Sequence, residues 1–308
     1  MAGWSEPGEL RMSEAEFRML CDLVRSYCGL HFGAESRYVL EKRLARRVRE
    51  LQLGSFAAYH YLLRSGSPGD QELARLVDEL VTNETYFFRE RNQLRALFEE
   101  ILPELRSRQP QRPLALWSAG CSSGEEPYSL VMLAREAGLQ PGRDLRVYAS
   151  DISRTMLQRA RRGLYREASF RQTEDALRDK YFLEKDGVWR IADDVKKHVD
   201  FIHLNLVDRS KIALLGSLDV TLCRNVIIYF DLETKRKVIH TFEDKLRAGG
   251  YLLLGHSESL INISSAFELR HLKHDLVYRK PAPGDSPYDP WHAAAAAAVA
   301  RVTAGEER

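Results

Sequence analysis

Apolar residues recur at helical spacing through the first third of the chain. In SEAEFRMLCDLVRSYCGL, Phe17, Leu20 and Val24 fall on one face. Ser13 and Glu16 form a capping-box pattern before this stretch, and Gly29 follows it as a stop signal. Similar periodicity continues to about residue 100, which predicts that residues 13 to 100 are helical throughout.

After residue 112 the pattern changes to short apolar runs that alternate with helical stretches. The runs are LALWSA, LRVYAS, DFIHL, LDVTLC and YLLLGH. Runs of this length suit buried parallel strands, so the pattern predicts a doubly wound α/β sheet. Two more strands separated by a tight turn, in AFELRHLKHDLVYRK, predict an antiparallel hairpin at one edge.

The interval between Gly163 and Asp200 is too long for one crossover connection. A hairpin signal at Asp186-Gly187 predicts a small antiparallel β-subdomain inserted at about 164–200. The predicted organisation is a helical domain over 1–95, the α/β domain over 96–280, and a linker with a disordered tail over 281–308.

Composition and charge exclude several classes of protein. The chain has 308 residues, of which 44% are hydrophobic and 29% charged, and no uncharged stretch is long enough to span a bilayer. The N-terminus lacks the apolar core of a signal peptide, so we expect a cytoplasmic protein that is not inserted in a membrane. A net charge of +2 does not indicate nucleic-acid binding. The four cysteines have no metal-site spacing, so no metal is expected.

The turn after the first predicted strand, SAGCSSGEE, is the candidate ligand site of such a sheet. It lacks the glycine patterns that cradle phosphates. Glu125 and Glu126 stand where phosphate would lie, and carboxylates there repel phosphate and attract a cation. They could also simply favour the first turn of a helix. We expect Gly120 and Gly124 to let the backbone approach the ligand.

Asp151, at the end of the second predicted strand, stands where an acid accepts hydrogen bonds from ribose hydroxyls. It could equally cap the next helix. A ribose site next to a cation site without phosphate describes S-adenosylmethionine, with S-adenosylhomocysteine as the product.

Six motifs together resemble one family. They are TNETYFFRE, WSAGCSSGEEPYS, ASDIS, NLVD, CRNVIIYFD and GGYLLLGHSESL. Their order and spacing resemble the chemotaxis receptor methyltransferases, the CheR family, over about residues 13 to 280. The resemblance implies a seven-stranded S-adenosylmethionine-dependent methyltransferase domain, an all-α N-terminal domain and a small inserted β-subdomain. It also implies methylation of glutamate side chains in methyl-accepting chemotaxis proteins, for adaptation in chemosensory signalling.

The resemblance implies which residues bind the cofactor and which orient the reactants. The implied cofactor contacts are Asn83, Thr85, Arg89, Glu126, Asp151, Asn205, Leu206, Arg224 and Asn225. Arg89 and Tyr229 are the candidate catalytic residues, which would orient the incoming carboxylate and the methyl donor.

The second predicted helix has a strongly basic face, consisting of Lys42, Arg43, Arg46, Arg47 and Arg49. This face could be simply solvated. By resemblance it is a docking surface for the acidic helical bundle of a receptor. The inserted hairpin, FLEKDGVWRI, is short and has one glycine, which departs from family members that bind a peptide at the receptor's C-terminus. We therefore expect no tight binding of such a peptide.

Other functions stay open at this stage. The same cofactor fold and basic face could serve a methyltransferase of a small molecule or of RNA. A non-catalytic module that binds S-adenosylmethionine and a partner is another alternative. A nicotinamide oxidoreductase is disfavoured by the missing glycine fingerprint and by the two glutamates.

Overall fold

A computed structural model describes residues 10–285 of the chain. The chain divides into two compact units. One contains the residues up to Thr82 together with Tyr229–Thr234, and the other contains Asn83–Ile228 and the residues from Lys235 onward. The predicted linker and tail cover residues 281–308, and residues from 286 onward lie outside the part of the chain that the structure describes. None of the helices within residues 10–285 is both long and apolar enough to cross a membrane.

The first unit is built from four helices. They are α1 (Glu14–Cys28), α2 (Arg37–Glu50), α3 (Phe56–Leu63) and α4 (Ser67–Leu80). The predicted capping box is confirmed, because Ser13 Oγ accepts from the Glu16 amide while the Glu16 carboxylate accepts from the Ser13 amide. The predicted stop is confirmed as well, since Gly29 caps α1 with a φ of 80°. Helix α1 packs on α2 and α3, and α4 packs on α2 and α3.

The prediction of helix throughout residues 13 to 100 is wrong for residues 81–90, which form no helix. Phe88 and Glu90 have φ values of 58° and 53°, in the left-handed region that a helix cannot contain. Helical structure resumes in α5 (Arg91–Ala96), a π-helical turn (Leu97–Ile101) and α6 (Leu102–Arg108). Apolar periodicity missed this break because Phe87 and Phe88 are buried even though their backbone is irregular.

The second unit contains all ten described strands. They are β1 (Leu114–Ala119), β2 (Leu145–Asp151), β3 (Leu164–Tyr165), β4 (Phe182–Lys185), β5 (Val188–Ile191), β6 (Val199–His203), β7 (Leu218–Cys223), β8 (Leu246–Leu254), β9 (Glu268–His271) and β10 (Leu276–Arg279). Seven form a sheet in the order β6-β2-β1-β7-β8-β10-β9. The first five strands in this order, β6, β2, β1, β7 and β8, are parallel to one another. Strand β10 is antiparallel to both of its neighbours, β8 and β9. The predicted α/β sheet with an antiparallel edge hairpin is confirmed.

The remaining strands form the inserted subdomain, a three-stranded antiparallel sheet in the order β3-β5-β4. Asp186 and Gly187 connect β4 to β5 with φ values of 53° and 73°, as a two-residue hairpin turn requires. The predicted insertion is confirmed. The other helices are α7 (Glu125–Glu136), α8 (Arg154–Arg162), α9 (Asp175–Tyr181), α10 (Asp193–Lys196), α11 (Arg209–Ile212) and α12 (Leu232–Lys245).

The order of the strands places the ligand crevice of the large sheet. The chain runs from β1 outward to β2 and β6, then returns to the other side of β1 as β7. In open α/β sheets, ligands bind where the direction of strand order reverses, outside the carboxyl ends of the strands. The loops after β1, β2 and β7 therefore bound the candidate site.

Candidate functional site

The turn between β1 and α7 owes its glycines to packing within the protein. Gly120 and Gly124 have φ values of 85° and 93°. A Cβ atom at Gly120 would lie 2.5 Å from Val226 Cγ2, and one at Gly124 would lie 2.8 Å from Ala160 Cβ. Both the backbone conformation and the close neighbours therefore require glycine. Close approach to a ligand, the reason expected from the sequence, is not needed to account for either residue.

Glu126 lies in the first turn of α7 and faces two donors. Its Oε1 accepts a hydrogen bond of 2.6 Å from Ser118 Oγ of β1, and its Oε2 lies 3.1 Å from Arg224 Nη1. The side chain remains partly accessible, at 17% exposure. Glu126 therefore links β1 to the loop after β7 and still presents a carboxylate to the crevice.

Glu125 has a different role, which the sequence left open. It is 2% exposed, and its carboxylate accepts from Ser123 Oγ at 2.8 Å and from Ser169 Oγ at 3.0 Å. Burial raises the pKa of this carboxyl, although the two hydroxyl hydrogen bonds act in the opposite direction. Glu125 thus supports the turn and ties it to the inserted subdomain.

Asp151 ends β2 and organises the loops next to it. One carboxylate oxygen accepts from the Ser122 amide and the other from the Ser153 amide, each at 2.8 Å. The Asp151 carbonyl accepts from the Leu204 amide at 3.0 Å, which aligns the end of β2 with the segment that carries Asn205 and Leu206. Asp151 therefore bonds the start of α8, as a capping residue would, and it lies at the end of β2, where the sequence predicted a ribose contact.

Arg224 is a buried charged group in the site, with a side chain that is 2% exposed. Its Nε lies 3.3 Å from Glu90 Oε2, its Nη1 lies 3.1 Å from Glu126 Oε2, and its Nη2 donates to the Arg89 carbonyl. One guanidinium therefore joins the loop after β7 to α7 and to the residues before α5. Glu90 was not among the predicted site residues, although it is the last residue of the motif TNETYFFRE.

Glu258 is a second site residue that the sequence analysis missed. Its carboxylate accepts four backbone N–H bonds of 2.7 to 3.2 Å, from Gly255, Asn225, Val226 and Ile228. Burial raises its pKa despite these bonds. A sequence feature that could have identified Glu258 is the polar motif GHSESL, which directly follows β8. Glu258 fixes the loop in which Asn225 has a φ of 60°.

Arg89 lies on the irregular segment before α5, together with Asn83 and Thr85, which are half-buried. Its Nη1 donates to the Glu84 carbonyl at 3.0 Å, and its guanidinium lies 5.6 Å from the centre of the Tyr86 ring. Tyr229, in contrast, groups with the helical unit, where its carbonyl accepts from the His31 amide at 2.9 Å.

The five basic residues of α2 divide into two sets. Arg47 forms a two-bond fork with Glu72, with both contacts at 2.7 Å, and Arg43 donates to the Glu79 and Leu80 carbonyls at the end of α4. Lys42, Arg46 and Arg49 are exposed and recur at positions i, i+4 and i+7, on one face of the helix. The first set joins α2 to α4, and the second faces solvent.

The groups present fit S-adenosylmethionine. Carboxylates at Glu126 and Asp151 match a cationic group and two ribose hydroxyls. Within residues 10–285, Asn225 Oδ1 and Ser122 Oγ are buried polar atoms without a hydrogen-bond partner, as expected where a polar ligand completes a site. The same residues contain no cluster of histidine, cysteine, aspartate and glutamate suited to a metal ion.

Two cysteines flank the site, Cys121 just after β1 and Cys223 at the end of β7, and both are buried. Burial raises the pKa of each thiol well above its ordinary value, and nearby carboxylates act in the same direction. The thiols are therefore protonated and unsuited to act as nucleophiles.

Comparison with known proteins identifies both units. Residues 83–276 match the family described as "CheR methyltransferase, SAM binding domain", and residues 15–81 match "CheR methyltransferase, all-alpha domain". The chain is 37% identical to "Chemotaxis protein methyltransferase 2" of Vibrio cholerae over 90% of this chain and 97% of that protein. It is 34% identical to "Chemotaxis protein methyltransferase" of Salmonella typhimurium, over 85% and 89% of the two chains. It is 32% identical to "Chemotaxis protein methyltransferase 1" of Pseudomonas aeruginosa, over 87% and 98%.

These matches cover both compact units, and the family expected from the six sequence motifs is confirmed. With an all-α unit, a seven-stranded sheet and carboxylates in place of a phosphate cradle, the chain belongs to the CheR family of S-adenosylmethionine-dependent methyltransferases.

Proposed function

We propose that this protein methylates glutamate side chains of methyl-accepting chemotaxis proteins in the cytoplasm, forming glutamate methyl esters and S-adenosylhomocysteine. The observation that carries the proposal is the pairing of Glu126 with the buried Arg224 beside Asp151, at the switch point of the sheet. This arrangement suits a nucleoside with a cationic group. The curated relatives, all named chemotaxis protein methyltransferases, support the choice of substrate.

S-adenosylmethionine supplies a methyl group activated on a sulfonium. A glutamate substrate is ionised near neutral pH, because its unperturbed pKa is about 4.3, so the protein need not remove a proton. The residues of the site have two tasks, to hold both reactants in line and to exclude water. Arg89 and Tyr229 are proposed to orient the incoming carboxylate and the donor.

The proposed cofactor residues work in two ways. Asn83, Thr85, Glu126, Asp151, Asn205, Leu206 and Asn225 surround the ligand and offer polar or apolar contacts. Arg224 uses three of its five N–H donors on Glu90, Glu126 and the Arg89 carbonyl. It is therefore proposed to hold Glu126 and Arg89 in position, with its two remaining donors available to the cofactor.

Receptor docking is assigned to the exposed set on α2. Lys42, Arg46 and Arg49 present positive charge along one helix face, which complements an acidic helical bundle. Tyr38, on the preceding turn, is 65% exposed and adds an aromatic contact. Arg43 and Arg47 support this face by fixing α2 to α4.

The function is tested by incubating the protein with methyl-labelled S-adenosylmethionine and candidate receptors. We expect label in the receptor that is released by mild base, since a carboxyl methyl ester hydrolyses readily and an N-methyl group does not. Label in RNA, or base-stable label in the receptor, would overturn the proposal. An Arg89→Ala variant that binds cofactor and methylates receptor normally would refute the role of Arg89.

The inserted hairpin gives a further test. Its turn has only two residues, Asp186 and Gly187, between β4 and β5. We propose that the protein does not bind a receptor C-terminal peptide tightly. Micromolar binding of such a peptide in calorimetry would show that this is wrong.

A further inference from the structure

The inserted subdomain holds the irregular segment that carries Arg89. The Phe87 amide donates to the Ser169 carbonyl at 2.9 Å. The centre of the Phe87 ring lies 4.8 to 5.2 Å from the ring centres of Tyr165, Phe170 and Phe182, all of which belong to the insertion. Residues 83–89, which we call the cofactor segment, are therefore packed against the insertion at their centre.

Arg171 extends this contact to the surface. Its guanidinium carbon lies 3.8 Å from the centre of the Tyr86 ring, and its Nη2 donates to Glu84 Oε1 at 2.6 Å. Arg89 contacts the same two residues, the ring of Tyr86 and the carbonyl of Glu84. Two arginines, one from the insertion and one from the proposed cofactor site, thus share the same pair of partners.

The backbone explains why the cofactor segment needs external support. Phe88 and Glu90, on either side of Arg89, both have positive φ values, a backbone conformation that is strained for residues other than glycine. Such a conformation persists only where surrounding contacts determine it. The aromatic cluster fixes Phe87, while Arg171 fixes Glu84 and Tyr86, the residues that the Arg89 side chain touches.

We propose that Arg171 is a positioning residue that holds Arg89 for cofactor binding, which makes the inserted subdomain part of the cofactor-binding machinery. The proposal rests on the assignment of Arg89 given under the proposed function. Arg171 itself lies on the surface, with a side chain that is 48% exposed, and acts through Tyr86 and Glu84.

The test compares Arg171→Ala with Arg190→Ala, a matched control in the same subdomain. Arg190 is also exposed and pairs with Asp193 rather than with the cofactor segment. We expect Arg171→Ala to weaken S-adenosylhomocysteine binding, measured by calorimetry, about three- to tenfold, the combined size of one exposed cation–π contact and one exposed ion pair. Arg190→Ala should bind as the wild type does.

Kinetics separate positioning from general loss of structure. For Arg171→Ala, KM for S-adenosylmethionine should rise by the same factor, and any fall in kcat at saturating cofactor should be smaller, because Arg171 touches no reacting group and acts only through Arg89. Arg171→Lys should recover part of the affinity, since it keeps the charge but not the planar stacking. A fall in kcat with an unchanged KM would overturn the proposal.

The Arg89→Ala variant distinguishes failure of the inference from failure of the function. If Arg89→Ala binds cofactor normally, the assignment of Arg89 fails and the inference fails with it. If Arg89→Ala binds weakly while Arg171→Ala binds normally, the inference alone is wrong. A double-mutant cycle should also show that Arg171→Ala has a smaller effect on affinity once Tyr86 is replaced by alanine, since only the contact with Glu84 then remains, and fully additive effects would contradict the proposal.

Discussion

Two arginine–glutamate pairs, one in each compact unit, show how a structural ion pair differs from one in a binding site. In the helical unit, Arg47 and Glu72 form a closed fork, and Tyr59 adds a third hydrogen bond of 2.9 Å to the same carboxylate. In the methyltransferase unit, Arg224 divides its donors among several acceptors, and its contact with Glu126 is single and longer. The Glu72 carboxylate accepts its hydrogen bonds from groups of the helical unit and is buried there. The Glu126 carboxylate remains partly accessible and can still accept a hydrogen bond from a ligand.

The largest effect that would test this comparison is at Glu126. Glu126→Gln removes the carboxylate proposed to pair with the ligand's ammonium group, and we expect a loss of about 10- to 100-fold in S-adenosylhomocysteine affinity, because a hydrogen bond between charged groups is worth about 1.5–3 kcal/mol. Glu125→Gln is the matched control, because its carboxyl faces two serine hydroxyls and its pKa is raised by burial. The control should bind within about threefold of the wild type. If both variants lost the same affinity for S-adenosylhomocysteine, the proposal that Glu126 binds the cofactor and Glu125 does not would be wrong.

The next effect concerns the loop that holds Arg224. Glu258→Gln keeps the shape of the side chain but replaces an acceptor of backbone N–H groups with an amide donor, at a cost of about 1–3 kcal/mol. We expect weaker binding of S-adenosylhomocysteine, by about tenfold, as the loop that carries Arg224 and Asn225 loosens. Unchanged affinity with a lower melting temperature would show that Glu258 serves stability alone.

The closed pair should affect stability and not binding. Arg47→Ala leaves the Glu72 carboxylate, which is 6% exposed, without its fork partner, and we expect the free energy of unfolding of the helical unit to fall by about 2–3 kcal/mol. Denaturant unfolding followed by circular dichroism measures this change. Affinity for S-adenosylhomocysteine should stay at the wild-type value, and a large loss of affinity would contradict the contrast between the two pairs.

Acidification should remove this stabilisation. Burial alone would raise the pKa of Glu72, but the hydrogen bonds from Arg47 and Tyr59 outweigh it and hold the pKa below its ordinary value. A carboxyl with a lowered folded-state pKa stabilises the protein above its unfolded pKa of about 4.3 and loses that contribution as the pH falls through the folded value. The difference in unfolding free energy between wild type and Arg47→Ala should therefore shrink from pH 6 to pH 3. A constant difference would refute the contribution of the charged pair.

The last expected effect, similar in size to that of Glu258→Gln, is on receptor docking. The double variant Lys42→Glu, Arg46→Glu should raise KM for receptor about tenfold at low salt, with a smaller effect in 0.5 M salt because screening shortens the range of the attraction. Arg159→Glu, Arg162→Glu on α8 changes the net charge equally and serves as the control. Equal effects of the two double variants would indicate a response to net charge rather than a docking face.

Much of the fold could be predicted from sequence because the apolar pattern reports burial directly. The strand LALWSA coincides with β1, and the Asp186-Gly187 hairpin and the Ser13–Glu16 cap occur as predicted. The break before α5 could not be predicted, because two buried phenylalanines give the same apolar signal in an irregular segment as in a helix. Its geometry depends on contacts with residues about 80 positions later in the chain.

Only part of the candidate site could be predicted from the sequence, because several of its residues are defined by contacts that form only in the fold. Glu126 follows β1 and Asp151 ends β2, so topology alone brings them to one edge of the sheet. The roles of Glu90 and Glu258 depend on which backbone amides and guanidinium groups fold against them, and local composition does not encode this. The division of the basic residues of α2 likewise required knowing that Arg43 and Arg47 face α4.

The two buried thiols beside the site can be used to measure local opening of the protein by their reaction with alkylating reagents. We expect Cys121 and Cys223 to react with alkylating reagents only when the ends of β1 and β7 open, since burial makes them inaccessible and raises the pKa of each thiol. Cys21, which is half-buried and has a pKa raised to about 11, reports on α1 instead. Mass spectrometry of alkylation at each cysteine would therefore measure local opening of the cofactor edge and of the helical unit separately, in unlabelled protein. Bound cofactor should slow the reaction at Cys121 and Cys223.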